Sequence, residues 1–346
     1  MSRADRFLKA CHKQETDCTP IWLMRQAGRY MQEYRDLRKK YDILELIKSP
    51  ELACEVTMQP VNAFDVDAAI IFADILPLLE GMGLELEFIK GEGPIFHNPI
   101  KTTADIQALG TPEVRESLDY TIKACEVTVK ELDGLIPLIG FSGAPFTLAS
   151  YAIEGKSSKT YLKTKQLMYT DRKNWHLLMD KLSNQIAEYM IAQAEAGVKA
   201  LQLFDSWIGA LSPYDYREYV QDHVKHIINR VKDRYPELPF IYFGTGVGGF
   251  FELYADCGSD IIGVDWRMDL LDAWQKIDFE KGVQGNLDPV LLLGSDEELK
   301  KQASRLLDSV SGRNGHIMNL GHGIHKETDP GKVKLLVDFV HEHSKK

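Results

Sequence analysis

The stretch VKALQLFDSWIGALSPYDYREYVQDHVKHIINRVKDRYPELPFIYF (198–243) contains a complete strand–helix–strand unit. Its two ends, VKALQLF (198–204) and PFIYF (239–243), are short apolar runs of the kind that form buried β-strands. Between them, residues 212–235 repeat apolar positions with the period of an α-helix, and Ser212 before Pro213 marks the start of that helix. Two strands joined through a helix pair in parallel, so this stretch predicts one βαβ unit.

The same alternation recurs along the chain. Apolar, β-rich runs occur eight times, at residues 19–24, 67–72, 135–140, 198–204, 239–243, 260–265, 282–286 and 315–320. Segments with helical periodicity lie between most of them, among them 49–64, 112–132 and 212–235, and a last one, 328–343, closes the series. Eight strands with helical crossovers predict a single (β/α)8 TIM barrel spanning residues 1–346. A doubly wound open sheet is the alternative, because a strand count does not establish closure.

One segment departs from this pattern. Residues 83–98, GLELEFIKGEGPIFHN, alternate apolar and polar side chains on both sides of Gly91-Glu92-Gly93. This spacing predicts a β-hairpin excursion inserted after the second strand. No long Gly/Ser/Pro-rich linker or internal repeat divides the chain, which favours one domain.

Composition narrows the classes of partner. The chain has 41 basic and 51 acidic residues, a net charge of −10, so no role at nucleic acid or at an anionic membrane is expected. Its five cysteines are widely spaced and include no CxxC pair, which predicts reduced thiols and a cytoplasmic location. No apolar stretch is long enough to span a membrane, and the first residues lack the apolar core of a secretory signal.

Polar side chains follow several of the predicted strands, where a barrel enzyme places its chemistry. Arginines at positions 25, 29, 35 and 38 follow the first strand, four within fourteen residues of an acidic protein. Guanidinium groups bind carboxylates in a bidentate way, so this cluster favours an anion site over ordinary surface ion pairs. The other strand ends supply Asp74, Tyr151, Ser206 and His322.

Each of these residues also has a structural interpretation. Asp74 lies in the apolar setting IIFADIL and caps a helix if it binds no ligand. Tyr151 is equally consistent with packing, Ser206 with capping, and His322 with a structural role, although its two flanking glycines leave room for a ligand. Other polar groups at the strand ends, Asp265, Asn286 and Asp288, are interpreted as structural or turn residues.

The sequence contains none of the common cofactor signatures. There is no lysine at a strand end for a Schiff base, no His/Cys spacing for a metal, and no glycine-rich nucleotide loop. We therefore expect a site with no metal and no cofactor.

Seven blocks of the sequence, in order, resemble the uroporphyrinogen decarboxylase family: PIWLMRQAGRY, AAIIFADIL, GFSGAPFTLASYAIEG, ALQLFDSWIGALSP, GVDWR, VQGNLDP and NLGHGI. The resemblance covers essentially the whole chain. It implies a cofactor-independent, homodimeric (β/α)8 enzyme that removes four acetate carboxyls from uroporphyrinogen III to give coproporphyrinogen III. Carried over by position, it implies that the substrate is bound by Arg25, Gln26, Ala27, Gly28, Arg29, Arg38, Asp74, Tyr151, Ser206 and His322.

The expected chemistry fits these residue types. The substrate carries eight carboxylates around four pyrrole N–H groups, so arginines suit its rim and a carboxylate suits its centre. Asp74 and Arg25 are the predicted catalytic residues: ionised Asp74 stabilises a protonated, cationic pyrrole, and Arg25 positions the substrate. The proton donor is open among Arg25, His322 and Tyr151. Two alternatives are a zinc- or corrinoid-linked methyltransferase of the same superfamily and a non-catalytic tetrapyrrole-binding protein.

Overall fold

The computed structural model describes residues 1–89 and 91–346. Within these residues, nine strands are formed: β1 Ala69–Ile70, β2 Leu86–Ile89, β3 Gly93–Phe96, β4 Leu138–Gly143, β5 Ala200–Asp205, β6 Phe240–Gly244, β7 Ile261–Gly263, β8 Gly282–Gln284 and β9 His316–Ile317. Seven of them form one parallel sheet in the order β1-β4-β5-β6-β7-β8-β9. Every connection between sheet neighbours follows chain order, as in a barrel.

The first apolar run closes the ring between β9 and β1. The amide of Met318 donates to the carbonyl of Pro20 at 2.8 Å, and the amide of Trp22 donates to Met318 at 3.3 Å. On the other side, the amide of Asp67 donates to the carbonyl of Ile21 at 2.8 Å. The eight predicted strands therefore complete a (β/α)8 barrel, although the first is a single bridge at Ile21 rather than a regular strand.

The helices of the described residues are α1 Arg3–Cys11, α2 Gln32–Arg38, α3 Ile43–Lys48, α4 Pro50–Ala63, α5 Pro77–Gly81, α6 Thr103–Ala108, α7 Val114–Ser117, α8 Asp119–Leu132, α9 Pro145–Glu154, α10 Leu162–Thr170, α11 Arg172–Glu195, α12 Pro213–Tyr219, α13 Gln221–Arg234, α14 Phe251–Ala255, α15 Leu270–Gln275, α16 Asp296–Ser309 and α17 Pro330–His343. Short 3₁₀ turns occupy Ile208–Ala210, Gly248–Phe250 and Pro289–Leu293.

Two predicted helices are each divided in two. The segment 212–235 forms α12 and α13, which are separated at Val220. There the indole of Trp175 on α11 donates to the backbone carbonyl of Tyr219 at 3.0 Å. A side chain of another helix therefore hydrogen-bonds to the backbone at the junction. The segment 112–132 is likewise divided, into α7 and α8.

The predicted hairpin after the second strand is confirmed. Strands β2 and β3 pair antiparallel, with Leu86 opposite Phe96. The amide of Phe96 also donates to the carbonyl of Gly155 at the end of α9, at 2.7 Å. Lys90, which falls within the predicted segment 83–98, lies outside the described residues.

The barrel interior is filled beneath the carboxyl ends of the strands. Alternate strand residues pack against the apolar face of α1, which includes Phe7. Helix α1 therefore plugs one end of the barrel. Above them, the Trp22 indole donates to Gln284 at 2.9 Å, and Gln284 donates to Gln202 at 3.0 Å. Because the interior is solid, a ligand site has to lie on top of the barrel, among the loops that follow the strands.

Candidate active site

The loop after the first strand presents Arg25 in an unusual backbone conformation. Arg25 has a φ of +63°, in the left-handed region that non-glycine residues seldom adopt. Its neighbour Gln26 is fully buried and holds the turn: its amide oxygen accepts from the Leu23 amide at 3.0 Å, and its amide nitrogen donates to Ala68 at 3.0 Å. The side chain of Gln26 is therefore occupied by backbone groups, and its part in the site is to fix the Arg25 loop.

The neighbouring arginines divide into two roles. Arg29 is exposed, and Ala27 and Gly28 are half-buried beside it. Arg35 donates to the carbonyls of Arg29 and Tyr30, at 3.0 and 2.7 Å, so it stabilises this loop. Ala27, Gly28 and Arg29 are predicted ligand contacts and lie in the Arg25 loop, whereas Arg35 lies in α2 and supports that loop from outside.

Arg38 is the last residue of α2 and is exposed. Its guanidinium donates to the carbonyl of Tyr41 at 2.7 Å. The charges of Arg38, Arg29 and Asp74 all act on the phenol of Tyr34, whose pKa is raised, mainly by burial. Tyr34 thus lies close to both the arginines and Asp74, and its place near the site was not predicted from the sequence.

Asp74 follows β1 and is half-buried. One carboxylate oxygen accepts from the amide of Leu76 at 2.9 Å, in the turn that leads into α5. Burial raises the pKa of Asp74 above its usual value, while the Leu76 amide and the charge of Arg25 act in the opposite direction. Within residues 1–89 and 91–346, its second oxygen has no hydrogen-bond partner and is open to a ligand donor.

Arg25 extends across the loop that follows β9. A methyl group added at Gly323 would lie 2.3 Å from its Cδ atom, so only glycine fits beneath it. The charges of Asp74, Arg29 and Tyr151 act on Arg25, and burial is the leading cause that lowers its pKa. Arg25 is nevertheless accessible to solvent, as expected for a side chain that lines a cleft.

His322 lies beside this arginine as a neutral imidazole. Its Nδ1 atom accepts from the amide of Gly323 at 2.7 Å, which fixes the proton on Nε2. Burial, followed by the charge of Arg25, lowers its pKa to about 4. The ring also makes edge contacts with Phe243 and Trp266, whose centroids lie 6.4 and 6.3 Å away.

An aromatic wall faces the arginines. The ring of Tyr151 on α9 packs against Trp207 with 4.0 Å between centroids, and Tyr161 packs on Trp207 at 5.3 Å. Burial and the charge of Asp74 raise the pKa of Tyr151 to about 12. Ser206 precedes Trp207 and is half-buried; in the described part of the chain its hydroxyl neither caps a helix nor makes another hydrogen bond. Sequence analysis missed Trp207, although it lies in the quoted block ALQLFDSWIGALSP.

Three other polar residues at the strand ends are structural, as interpreted from the sequence. Asp265 is buried and accepts from Arg267 at 2.5 Å and from the Gly246 amide at 2.7 Å. Asn286 donates to backbone carbonyls, and Asp288 caps the 3₁₀ turn that follows it.

The loops after the strands thus bring cations, one open carboxylate and aromatic rings to the same end of the barrel. Guanidinium groups suit carboxylates, aromatic rings suit flat apolar surfaces, and an open carboxylate oxygen suits an N–H donor. Among residues 1–89 and 91–346, no group of three His, Cys, Asp or Glu side chains is arranged to hold a metal ion. Nor does any helix in that part of the chain have the length and apolarity needed to cross a membrane.

Comparison with known proteins identifies the family. The family model for uroporphyrinogen decarboxylase (URO-D) matches residues 2–343. The chain belongs to the uroporphyrinogen decarboxylase family. A uroporphyrinogen decarboxylase from Roseiflexus sp. (strain RS-1) is 53% identical over 98% of this chain and 98% of its own length. Another, from Carboxydothermus hydrogenoformans, is 49% identical over 98% of this chain and 97% of its own.

Solved structures show that the fold of this decarboxylase family is shared more widely. A methyltransferase from Methanosarcina mazei superimposes with a TM-score of 0.82 over 99% of both chains, at 19% identity. A B12-independent methionine synthase from Shewanella sp. W3-18-1 gives a TM-score of 0.56 at 12% identity, over 94% of this chain and 96% of its own. At these identities the likeness concerns the fold alone, so the methyltransferase alternative gains no support from it.

Proposed function

We propose that this protein is a uroporphyrinogen decarboxylase that converts uroporphyrinogen III to coproporphyrinogen III in haem biosynthesis. The observation that carries the proposal is the placement of Arg25 and Asp74 in the loops after neighbouring strands of the barrel, where the charge of each shifts the pKa of the other. Full-length relatives at about half identity bear the name of this enzyme, and the cleft has the residue types that its substrate requires.

The arginine loop binds the rim of the substrate. Arg25 and Arg29 present guanidinium groups to solvent at the mouth of the barrel, and Arg38 extends this positive surface along α2. Because the whole chain is acidic, binding of a substrate with eight carboxylates depends on this local concentration of charge. The wall of Tyr151 and Trp207 faces the pyrrole rings from the other side.

Asp74 acts at the centre of the macrocycle. Its open oxygen accepts pyrrole N–H groups, which compensates for the desolvation of the carboxylate. A proton then adds to the pyrrole carbon next to the acetate and gives a cationic ring beside Asp74. The bond between the CH2 group and the carboxylate breaks, CO2 leaves, and the electron pair moves into the ring. The exocyclic carbon takes up a proton and the ring loses one, so each acetate becomes a methyl group with the net uptake of one proton.

The pKa shifts of His322, Tyr151 and Arg25 indicate how well each of them could donate the proton. The pKa of His322 is about 4, so its imidazolium form is absent at neutral pH. The phenol of Tyr151 has a pKa of about 12 and stays protonated there. Burial and Arg29 both lower the pKa of Arg25, but a guanidinium is a poor acid and its role is to hold the reacting acetate.

The test is anaerobic incubation of the purified protein with uroporphyrinogen III. Products are oxidised to porphyrins and separated by their number of carboxyl groups. We expect the eight-carboxyl substrate to be replaced by the four-carboxyl product through intermediates with seven, six and five. Tight binding with all eight carboxyls retained would instead identify a tetrapyrrole carrier.

We further propose that residues 1–346 act as one catalytic domain in the cytoplasm and pair as a homodimer. All five cysteines lie in the described part of the chain as buried free thiols, which suits a reducing compartment. Apolar side chains that suit a pairing surface are exposed on the helices α10 and α12, among them Leu162 and Tyr214. Sedimentation analysis at several concentrations tests the pairing: a monomer at all of them would refute it.

A further inference from the structure

A buried carboxylate lies beneath the aromatic wall and takes no part in the chemistry described above. Asp205, the last residue of β5, is completely inaccessible to solvent. Its two oxygens accept from the hydroxyls of Thr147, at 2.7 Å, and Tyr242, at 2.9 Å. Throughout residues 1–89 and 91–346, no cationic side chain pairs with it. A buried carboxylate held by two neutral hydroxyls is costly, and burial raises its pKa to about 6.

The hydrogen bonds of Asp205 connect the two elements that carry the wall, α9 and the turn after β5. Thr147 lies on α9 one turn before Tyr151, so both side chains project from the same face of that helix. The hydroxyl of Thr147 also accepts from the amide of Trp207, at 3.4 Å. Asp205 itself immediately precedes Ser206 and Trp207, so one carboxylate connects the helix that carries Tyr151 with the turn that carries the other two.

The opposite side of the same turn is fixed independently. The hydroxyl of Thr245 donates to the carbonyl of Ser206 at 2.6 Å. A methyl group at Gly209 would lie 2.3 Å from the carbonyl oxygen of Thr245, so the two loops are in direct contact. Loss of the Asp205 contacts therefore frees the turn on its α9 side alone, and displaces Trp207 relative to Tyr151.

We propose that Asp205 is a positioning residue of the active site, whose carboxylate holds Thr147 and the following turn so that Tyr151, Ser206 and Trp207 form one wall for the substrate. The inference rests on the proposed function and specifies what supports its binding surface. A wall that touches substrate and transition state alike contributes to binding more than to the chemical step.

The test compares the steady-state kinetics of Asp205→Asn and Thr147→Val with those of the wild type. Asparagine accepts through one oxygen only, and valine removes the hydroxyl, so each variant loses a hydrogen bond in the chain. We expect KM for uroporphyrinogen III to rise about tenfold in each, with kcat within about twofold. Because both residues act through one chain of contacts, the KM of the double variant should be no higher than that of the single variant with the higher KM.

Two control variants separate positioning from stability. Thr147→Ser keeps the hydroxyl and should restore KM. Asp67→Asn changes another fully buried aspartate, which accepts from the Ile21 amide at the opposite end of the barrel. It should lower the unfolding midpoint and leave KM unchanged.

The pH profile supplies a readout that a purely structural role would not move. Protonated Asp205 cannot accept from both hydroxyls, so the wild-type KM should rise relative to that of Asp205→Asn as the pH falls through about 6. A KM within about twofold of the wild type in both variants, or a fall in kcat alone, would overturn the inference while leaving the proposed function intact.

If the wild-type protein does not decarboxylate the substrate, the proposed function fails, and a measurement without substrate decides the positioning role. Acrylamide quenching of Trp207 emission is obtained from the difference between each protein and its Trp207→Phe counterpart. We expect Trp207 to be quenched more readily in Asp205→Asn than in the wild type. Equal quenching would refute the role of Asp205.

Discussion

Replacement of Asp74 by asparagine tests the electrostatic basis of the proposed reaction. The substitution keeps the shape of the side chain and an oxygen that can accept from the Leu76 amide, now at 2.9 Å. It removes the negative charge and turns the open end of the side chain into an N–H donor in one of its two orientations. Pyrrole N–H groups would then face an amide in place of a carboxylate.

The magnitude follows from the position of the charge. Two unit charges about 4 Å apart interact by about 4 kcal/mol at the effective dielectric constant of about 20 that suits partly buried groups. That energy corresponds to about a thousandfold in rate, and loss of one preorganised group typically costs about 10²–10³-fold in kcat. Asp74 is half-buried, so we expect Asp74→Asn to lower kcat by about 10²–10³-fold.

The same variant should fold at least as well as the wild type. Folding raises the pKa of Asp74, so the folded state holds this proton more tightly than the unfolded state does. Ionisation of Asp74 therefore lowers the free energy of unfolding. The decrease begins as the pH rises through the unfolded-state pKa of about 3.9 and is complete above the raised pKa of the folded state. At pH 7 the unfolding midpoint of Asp74→Asn should equal or exceed that of the wild type, and the advantage should vanish in acid.

Anaerobic turnover and thermal unfolding of the same preparations provide the assay. Turnover within about fivefold of the wild type would remove Asp74 from the mechanism, since a charge at this site is worth far more. A large loss of turnover accompanied by a lower unfolding midpoint would show that Asp74 is needed for folding, contrary to the argument above.

Two further substitutions test the packing of Arg25 at the cleft and the closure of the barrel at its opposite end. Gly323→Ala should displace Arg25 and raise KM about tenfold with little change in stability. As a control, Gly249→Ala should leave KM unchanged, because an added methyl group there has no neighbouring atom within 4 Å. Equal KM values for the two variants would refute the packing of Arg25 on Gly323. Arg6→Met removes the guanidinium that donates to fully buried Asp67 at 2.7 Å, so it should lower the free energy of unfolding, measured in urea, by about 3–5 kcal/mol. A change below about 1 kcal/mol would show that this pair does not stabilise the closure of the barrel.

The barrel was predictable from sequence because its strands are buried on both faces. Such strands appear as continuous apolar runs, and the helices between them are long enough to show their period. The first strand was harder to define, since it is reduced to the bridge between Ile21 and Met318 and the chain turns into the Arg25 loop three residues later. Its pairing with Met318 joins the two ends of the chain, a contact that no local pattern contains.

The site was predictable to the extent that its residues follow strands. Asp74, Tyr151, Ser206 and His322 were selected in this way and stay predictions as ligand contacts. The backbone contacts of Gln26 were not predicted, because a buried glutamine that binds backbone resembles one that binds a ligand. Residues that act through packing were also missed. Tyr161, for example, reaches Trp207 from the start of α10, and only the folded chain brings the two together.

Two unfavourable features lie together at the mouth of the barrel. Arg25 adopts a left-handed backbone conformation, and Asp74 has a pKa raised by burial. Each destabilises the fold by itself, and glycine at the first position or asparagine at the second would relieve it. The buried amide of Gln26 holds the Arg25 turn in place, so the surrounding structure maintains the strain. The charge of Arg25 offsets part of the desolvation of Asp74, and a donor that reached the open oxygen of Asp74 would offset more of it.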